Sequence, residues 1–265
     1  MEASRLLDFA LDLAAVAEAE IVPRFRRVGV ERKADGTVVT EADREAERAM
    51  REHIERRFPE DAILGEELGR SGPEAARRLW VLDPVDGTIW FTLGVPLFGT
   101  LIGLLEAGRP VAGVAHFPGL GETLYAADGM GCFFRAKGAA PERVRVADGV
   151  ALSEARVSAG GPHGSDIQPA EGRAVNLTAL VRKAGAFRFV GDCLQHALVC
   201  QGRLHAAVDT LMKPWDIAAL VPCVREAGGV ATSLEGDADG VVYAGSLVTS
   251  ANPDLHREVL ATLRA

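Results

Sequence analysis

Four apolar residues, 79–82, come directly before a short segment that carries two carboxylates and a hydroxyl group. Such a run has the length and composition of a strand buried in a sheet. Pro84 has no amide N–H and fixes φ, and Gly87 tolerates positive φ, so we expect the strand to end there and the chain to fold back. Asp83 and Asp86 then lie close together at the end of a buried strand.

This segment favours a site for a hard divalent cation. Two carboxylates held close together repel each other, and sites rich in oxygen ligands suit Mg²⁺, which is usually shared with substrate phosphates. An ordinary surface turn of Asp, Pro and Gly explains the same residues without any ligand. The segment by itself does not separate the two interpretations, because short motifs also match by chance.

Two further acidic segments strengthen the metal-site interpretation. Residues 65–67, Gly-Glu-Glu, follow the apolar run 62–64, and residues 215–219, Trp-Asp-Ile-Ala-Ala, open a helix-like segment far downstream. In this order and spacing, GEE, DPVDGT and WDIAA resemble the inositol monophosphatase family, in which the three motifs supply the ligands of a Mg²⁺ cluster. The resemblance covers nearly the whole chain, and residues 94–102 with 116–118 are more similar to the histidinol-phosphatase branch than to the inositol branch.

The resemblance implies a cluster of two or three Mg²⁺ ions. Asp83, Asp86 and Asp216 would hold one ion, and Glu66, Asp83 and the backbone carbonyl of Val85 would hold another. Because these residues come from both halves of the chain, the site can form only if the two halves fold onto one cleft. The carboxylates would raise one another's pKa values in the metal-free protein.

The same resemblance implies the catalytic groups, and the turn after the apolar run offers a phosphate-binding site. Glu66, the hydroxyl of Thr88 and Asp43 would orient or deprotonate the attacking water. The backbone N–H groups of Gly87 and Thr88 would bind the phosphate, as N–H groups after a turn often do. Lys33 would assist through a bound water, although a solvated lysine in a loop explains that residue equally well.

Two more acids bear on the identity of the substrate. Asp192 lies where the inositol branch usually has a small hydroxyl residue, and Asp209 lies where that branch has a glutamate that binds the ring. Histidinol phosphate carries an ammonium and an imidazole, which carboxylates bind well. Each acid also has a structural explanation, Asp192 as the N-cap of a helix at 192–202 and Asp209 as a turn residue at a strand end. Both explanations stay open for each acid.

Residues 89–91, Ile-Trp-Phe, depart from the family pattern, which commonly has a small or basic residue and then Asn-Phe. An indole beside the site could stack on an imidazole, but we expect Trp90 to be a core or dimer-contact residue, as large aromatic residues usually are. We do not expect His163, His196 or His205 to be metal ligands, because a hard cation rarely needs imidazole.

Hydrophobic periodicity divides the chain into two parts. A core-facing helix is expected over 4–28, with Pro23 bending or ending it, and Thr40 with Asp43 forms an acidic capping box at the start of the next helix. The polar, Gly-rich stretch at 136–150 is the candidate boundary. Before it, an antiparallel meander is expected with strands at 97–105, 111–117, 122–126 and 131–135.

We therefore expect an N-terminal α+β domain, 1–140, with the GEE and DPVDGT motifs, and a C-terminal α/β domain, 141–265, with the WDIAA motif. The resemblance implies the same division, as an α+β and α/β layered sandwich of alternating helix and sheet layers with the site in the cleft. In the second half, strands are expected near 155–159, 186–190, 204–209, 229–233 and 246–250, and helices at 169–184, 192–202, 216–227 and 253–264.

Composition restricts the partners of the chain. Its formal net charge of −8 and the absence of a basic run disfavour nucleic-acid binding. We find neither a leader-like N-terminus nor an apolar stretch of membrane-spanning length, so a cytoplasmic protein with no membrane partner is expected. The resemblance implies a homodimer. The cysteines are scattered without CxxC spacing and are expected to be buried thiols; they are Cys132, Cys193, Cys200 and Cys223.

The sequence thus predicts a Mg²⁺-dependent phosphomonoesterase, with histidinol phosphate as the expected substrate in histidine biosynthesis. Within the same class, an inositol-1-phosphatase, a fructose-1,6-bisphosphatase or a nucleotide phosphatase are alternatives. A different class, a catalytically silent binding protein that keeps the fold, is also considered. Against it stands the complete set of site residues: Asp43, Glu66, Asp83, Asp86, Thr88 and Asp216.

Overall fold

A computed structural model describes residues 2–33, 36–161 and 175–264 of the chain. The helices are α1 (Glu2–Ile21), α2 (Glu41–Arg57), α3 (Thr88–Thr92), α4 (Leu177–Lys183), α5 (Asp192–Cys200), α6 (Pro214–Ile217), α7 (Leu220–Glu226) and α8 (Pro253–Arg264). The strands in the first half are β1 (Val30–Arg32), β2 (Val38–Thr40), β3 (Ala62–Gly65), β4 (Gly69–Ser71), β5 (Arg78–Asp86), β6 (Gly99–Glu106), β7 (Arg109–Phe117), β8 (Glu122–Ala127) and β9 (Gly131–Ala136). Those that follow are β10 (Glu142–Val144), β11 (Arg156–Ala159), β12 (Ala186–Phe189), β13 (Ala206–Asp209), β14 (Val230–Thr232) and β15 (Leu247–Ser250).

Two large sheets and a small hairpin organise these strands. The larger sheet has the order β10-β9-β8-β7-β6-β5-β3-β4, and its neighbours are antiparallel except for β3 and β5, which are parallel. The smaller sheet has the order β12-β11-β13-β15-β14, with β11 parallel to both of its neighbours. The hairpin pairs β1 with β2. Consecutive strands from β5 to β10 therefore form the expected meander.

Helices cover both faces of the large sheet and the outer face of the small one. On one side, α1 and α2 bury residues such as Leu13, Met50 and Ile54 against Trp80 and Ile102 of the sheet. Between the two sheets lie α5 and α7, and α4 and α8 pack on the far side of the small sheet. The resulting helix–sheet–helix–sheet–helix order confirms the layered α+β sandwich that the sequence predicts.

Two expected helices are shorter or broken in the structure. The helix expected over 4–28 ends at Ile21 and continues only as a 3₁₀ turn, Val22–Arg24, because proline in that turn has no N–H for the helical ladder. The helix expected at 216–227 is divided into α6 and α7. The break lies against the large sheet, where a Cβ on Gly103 or Gly113 would overlap the chain at residues 218–219.

The strand that leads into the DPVDGT segment does not end at Pro84 as expected. Strand β5 continues to Asp86, with a shift of register against β6 between Asp83 and Asp86. The irregularity accommodates a proline that cannot donate to the ladder, and the carbonyl of Pro84 accepts a hydrogen bond from Thr100 Oγ1 at 2.8 Å. The turn itself begins at Gly87, with φ of +81°.

Most of the remaining expectations agree with the described elements. The capping box at Thr40 is confirmed, the meander strands are within a few residues of their expected bounds, and the four cysteines are buried and free. Residues 169–174 of one expected helix, and His163, lie outside the described residues. The division at residue 140 stays a prediction; β10 follows it and pairs with β9. In the described ranges, no helix has the length and apolar character needed to span a membrane.

Candidate active site and metal centre

Three separate parts of the chain bring carboxylates to one cleft. The end of β5 carries Asp83 and Asp86, the segment after β3 carries Glu66, and the first turn of α6 carries Asp216. The backbone N–H of Lys213 donates to Asp216 Oδ2 at 2.6 Å. Asp216 therefore accepts from the N-cap residue of its own helix, and its charge lies at the positive end of the helix dipole.

Asp83, Asp86 and Asp216 form one compact cluster. One carboxylate oxygen from each lies within 4.8 Å of the others. Asp83 is buried, and Asp86 and Asp216 are partly exposed to the cleft. Such an arrangement of three acceptor groups, without a cation between them, is electrostatically unfavourable.

The pKa values reflect this cost. Burial, and then the charges of Glu66, Asp86 and Asp216, raise the pKa of Asp83 well above its usual range. Burial and the neighbouring Asp192 and Asp216 do the same for the pKa of Asp86. The pKa of Asp216 rises to about 7, chiefly through burial. The sequence predicts that these carboxylates raise one another's pKa values, and their proximity in the structure has this effect.

The residues present fit a divalent cation. Asp83 Oδ1 is buried and has no hydrogen-bond partner among the described residues, so an oxygen ligand is already desolvated and available. The other candidate ligand atoms of the site are carboxylate oxygens and the carbonyl oxygen of Val85, and hard cations prefer such oxygen ligands. That carbonyl accepts from Thr88 Oγ1 at 3.0 Å and retains a second lone pair. Its place as a ligand stays a prediction.

Glu66 lies beside this cluster and is held by a lysine. Lys33 Nζ lies 3.0 Å from Glu66 Oε1 and 2.6 Å from Glu67 Oε1. Burial raises the pKa of Glu66 even though Lys33 opposes the shift. Lys33 is therefore a partner of the acidic motif in the structure and not a solvated surface lysine.

Buried Asp43 and partly exposed Thr88 lie next to the cluster. Asp43 Oδ2 accepts from the backbone N–H of Thr40 at 2.9 Å and from its hydroxyl at 2.5 Å, whereas Oδ1 faces the hydroxyl of Thr88 at 3.4 Å. Burial raises the pKa of Asp43 to about 6. The helix cap thus uses one oxygen of Asp43, and the other faces the site.

A buried ion pair that the sequence motifs do not predict lies beneath the Gly-Glu-Glu segment. Glu47 is fully buried and accepts from the backbone N–H of Glu67 at 2.7 Å and of Leu68 at 3.1 Å. Arg51 Nε donates to Glu47 at 2.8 Å. The sequence contains a signal for this pair. Glu47 and Arg51 are four residues apart on the apolar side of α2, where charged side chains are not solvated and must therefore pair with each other.

A cleft of about 800 Å³ extends from the cluster along α3 and the start of α5. Trp90, Asp192 and Asp209 line it. The missing side chain of Gly87 lets two of these groups approach the turn, because a Cβ there would lie 3.2 Å from Asp192 Oδ2 and 3.3 Å from Trp90 Cδ1. Of the two expectations for Trp90, a core position is wrong, because the β5–α3 turn leaves the side chain partly exposed at the cleft wall. A dimer contact stays a prediction.

The two acids of the cleft differ in how the fold holds them. Asp192 is not the N-cap of α5, as one interpretation had it; Gly191 takes that position, and Asp192 begins the helix with φ of +51°. The next N–H, of Cys193, donates to Asp86 Oδ2 at 2.6 Å. Asp209 ends β13 and is nearly buried. Both acids are therefore in the cleft that holds the carboxylate cluster.

Comparison with known proteins gives a consistent result. A model of the inositol monophosphatase family matches residues 2–265. The histidinol-phosphatase of Mycobacterium tuberculosis is 38% identical over 262 residues, which cover 97% of this chain and 98% of that protein. The fructose-1,6-bisphosphatase/inositol-1-monophosphatase of Thermotoga maritima is 37% identical over 235 residues, covering 87% of this chain and 85% of that protein.

A solved structure agrees with these sequence matches. The IMPase of Thermotoga maritima superposes with a TM-score of 0.84 at 34% identity, covering 98% of this chain and 96% of that one. The match therefore extends over the layers of the fold as well as the motifs. Sequence, fold and carboxylate cluster together show that this chain is a metal-dependent phosphomonoesterase and belongs to the inositol monophosphatase family.

Proposed function

We propose that the chain hydrolyses L-histidinol phosphate to L-histidinol and phosphate with Mg²⁺, as a step of histidine biosynthesis. The observation that carries the proposal is the presence of two acids, Asp192 and Asp209, in the same cleft as the carboxylate cluster. An alcohol that carries an ammonium and an imidazole needs such acceptors, whereas a neutral polyol does not. Histidinol-phosphatases among the relatives, at 35–38% identity, support this substrate.

The chain's oxygen ligands favour Mg²⁺, in two or three sites. Asp83, Asp86 and Asp216 would hold one ion, and Glu66, Asp83 and the Val85 carbonyl would hold a second. When bound, the ions would supply Lewis-acid activation of water and stabilise charge on the leaving oxygen.

Asp43 and Thr88 are proposed to accept the proton that the attacking water loses. The Thr88 hydroxyl faces Asp43 Oδ1 at 3.4 Å, which is within reach of a hydrogen bond that tightens when substrate is bound. With its pKa at about 6, the Asp43 carboxylate is ionised at neutral pH and can accept a proton through Thr88. Glu66, held by Lys33 at 3.0 Å, would orient the same water.

The phosphate is proposed to lie at the turn after β5. Gly87 is the N-cap of α3, and the first backbone N–H groups of a helix have no partner within it. The N–H groups of Gly87 and Thr88 would therefore donate to phosphate oxygens next to the carboxylate cluster. The scissile bond would then lie between the cluster and the cleft wall that carries Trp90.

The alcohol part of the substrate would then extend along that wall. Asp192 lies close to the turn, and its negative charge repels that of Asp86 and raises the pKa of Asp86. An ammonium near Asp192 would relieve this repulsion. The indole of Trp90, partly exposed beside Gly191, offers a flat apolar surface on which an imidazole could stack.

Phosphate release by the purified protein tests this proposal directly. Histidinol phosphate, inositol 1-phosphate, fructose 1,6-bisphosphate and adenosine 3′,5′-bisphosphate are compared with Mg²⁺, each with an EDTA control. We expect the highest kcat/KM for histidinol phosphate and no release with EDTA. A preference for another ester would discard the substrate, and release that persists in EDTA would discard the metal assignment. No release from any ester would favour the silent binding protein.

Substitution of Asp192 tests the recognition of the alcohol. We expect Asp192→Asn to raise KM for histidinol phosphate by about tenfold or more, because a charged acceptor is lost, and to change KM for phenyl phosphate much less. Glu122→Gln, a change on β8 outside the cleft lining, is the matched control. Equal increases of KM for both esters would remove Asp192 from substrate recognition.

A cytoplasmic homodimer remains part of the proposal. The family resemblance of the sequence motifs implies this self-association. Sedimentation equilibrium of the purified chain would measure its mass, for which a dimer is twice 28.1 kDa. A mass of one chain at micromolar concentration would reject the dimer.

A further inference from the structure

A buried histidine contacts the inner side of the cleft acid Asp209. His196, on α5, is fully buried between the two sheets. Its Nε2 lies 2.9 Å from Asp209 Oδ2, and its Nδ1 lies 2.8 Å from Thr249 Oγ1 on β15. The neighbouring Gln195 donates from Nε2 to the same carboxylate oxygen at 2.5 Å. Helix α5 therefore places two donors behind one cleft carboxylate.

The contacts determine the tautomer of the ring. A carboxylate oxygen can only accept, so the proton of neutral His196 is on Nε2 and points to Asp209. Nδ1 then accepts the hydroxyl proton of Thr249. Both ring nitrogens are satisfied in this arrangement, and the ring has no other orientation that keeps both hydrogen bonds.

The outer oxygen of the acid has a different environment. Within the described ranges, no hydrogen bond joins Asp209 Oδ1 to another residue, and this oxygen is not among the fully buried atoms without partners. It lies against Gly160, where a Cβ would overlap it, and both residues line the cleft. One oxygen of the carboxylate is thus anchored inside the fold, and the other is available to a ligand.

We infer that His196 is a positioning residue, which with Gln195 fixes Asp209 so that Oδ1 accepts a hydrogen bond from the alcohol part of the substrate. The inference rests on the proposed function, because Asp209 matters in this way only if the cleft holds that part of the ester. A carboxylate anchored by two donors keeps its orientation in the free enzyme, so little rotational freedom is lost when substrate binds.

A purely structural role for His196 makes a different prediction. If the histidine only fills the core, its loss lowers stability and affects all phosphate esters alike. If it acts through Asp209, its loss raises KM for esters whose alcohol reaches Asp209, and it leaves kcat less affected. The comparison of two substrates separates these cases.

The test uses the full chain with Mg²⁺ and three variants. His196→Leu removes the donor with little change of volume, and His196→Gln keeps an N–H donor near the position of Nε2. We expect His196→Leu to raise KM for histidinol phosphate about tenfold relative to phenyl phosphate, with kcat within about threefold. His196→Gln should restore most of the loss. Thr249→Val, which leaves Asp209 and the ring in place, should raise the same KM by a smaller factor.

A double-mutant cycle with Asp209→Asn decides whether the two residues act as a unit. We expect His196→Leu to change KM little in the Asp209→Asn background, so that the two effects do not multiply. Effects that multiply, or equal losses for both esters, would overturn the positioning role. If His196→Leu does not fold, Thr249→Val, which is expected to raise KM, is used in the same cycle.

The cycle also separates this inference from the proposed substrate. If histidinol phosphate is not turned over but inositol 1-phosphate is, the substrate proposal fails, and the cycle with inositol 1-phosphate still measures coupling between His196 and Asp209. Coupling in that experiment supports the positioning role, and its absence overturns it.

Discussion

Asp86 has opposing electrostatic surroundings. The backbone N–H of Cys193 donates to its carboxylate at 2.6 Å and stabilises the charge, whereas Asp192 and Asp216 destabilise it. The fold tolerates this conflict at a single side chain because a cation bound there would convert the repulsion into attraction. The negative charge of Asp86 therefore serves cation binding but lowers the stability of the metal-free protein.

The conflict leads to a prediction for Asp86→Asn. We expect turnover to fall by at least about a hundredfold, since a charged ligand is lost while the amide oxygen keeps the shape. In EDTA, the free energy of unfolding should be equal to that of the wild type or higher, because one of the repelling charges is removed. Phosphate release and urea unfolding measure the two effects. Asp128→Asn, at an exposed pair with Arg109, is the matched control and should keep full activity. Unchanged turnover in Asp86→Asn would reject the metal assignment.

His256 gives a prediction about pH that is independent of the active site. It is buried in α8 between the hydroxyls of Thr232 and Ser250, at 2.8 and 2.7 Å, and burial lowers its pKa to about 4. The unfolded chain has an ordinary histidine pKa near 6.5. Below pH 6.5 the unfolded state thus binds a proton that the folded state does not, and the fold loses stability as pH falls toward 4.

The expected size of this effect is about 3 kcal/mol over the interval from pH 6.5 to 4, since each pKa unit corresponds to about 1.4 kcal/mol. Urea unfolding of the wild type and of His256→Asn at half-unit pH steps measures it. The variant should be less stable at pH 7, but its free energy of unfolding should fall less steeply between pH 6.5 and 4. Parallel curves for the two proteins would show that His256 does not titrate in this way.

At the scale of elements, the segment that presents Glu66 is held from beneath by α2. Glu47 accepts two backbone N–H groups of that segment, and Arg51 compensates its charge while donating to Ser71 Oγ at 2.9 Å. A helix residue therefore determines the path of a loop that carries a site residue. The ion pair is buried, so its loss leaves an uncompensated charge.

We expect Glu47→Gln to destabilise the protein by about 3 kcal/mol and to lower kcat, because Arg51 becomes an unpaired buried charge and the loop loses a charged acceptor. Urea unfolding and phosphate release are the measurements. Glu45→Gln, on the same helix in an exposed pair with Arg48, is the control and should change neither value appreciably. If Glu47→Gln behaves like this control, α2 does not hold the loop through Glu47.

Local interactions explain which elements the sequence could predict. The capping box of Thr40 and Asp43 joins residues three apart, and the meander alternates apolar strands with short turns, so each follows from neighbouring residues. The break between α6 and α7 depends instead on two glycines of the large sheet, both more than 100 residues earlier in the chain. Patterns within a single segment contain no information about such contacts.

The same reasoning applies to the site. Motif order predicted that the acids of β5 and α6 share a cleft, and their carboxylates do converge. The anchoring of Asp209 by His196, and of the Glu66 loop by Glu47, could not be predicted, because each joins a helix to a different element. The residue type of Trp90 favours a core or dimer contact, whereas its position in the cleft wall depends on the turn at Gly87.

At the scale of the whole molecule, the carboxylate cluster joins the two halves of the chain. Asp83 and Asp86 belong to strand β5 of the large sheet, and Asp216 belongs to helix α6 in the second half of the chain. A cation bound by all three would be a contact between these layers that exists only in the folded state. Binding of this kind stabilises the folded protein in proportion to the logarithm of the free cation concentration.

We therefore expect Mg²⁺ to raise the thermal stability of the wild type. At a concentration one hundred times the dissociation constant, the gain is about 2.7 kcal/mol, which for a chain of this size raises Tm by roughly 5–10 °C. Differential scanning calorimetry with increasing Mg²⁺, and with EDTA, measures the shift. Asp216→Asn, which removes the ligand contributed by the second half, should reduce the shift far more than the control Asp128→Asn. An equal shift in Asp216→Asn and wild type would mean that the cation binds within the first half alone, and that the two halves are joined by packing without it.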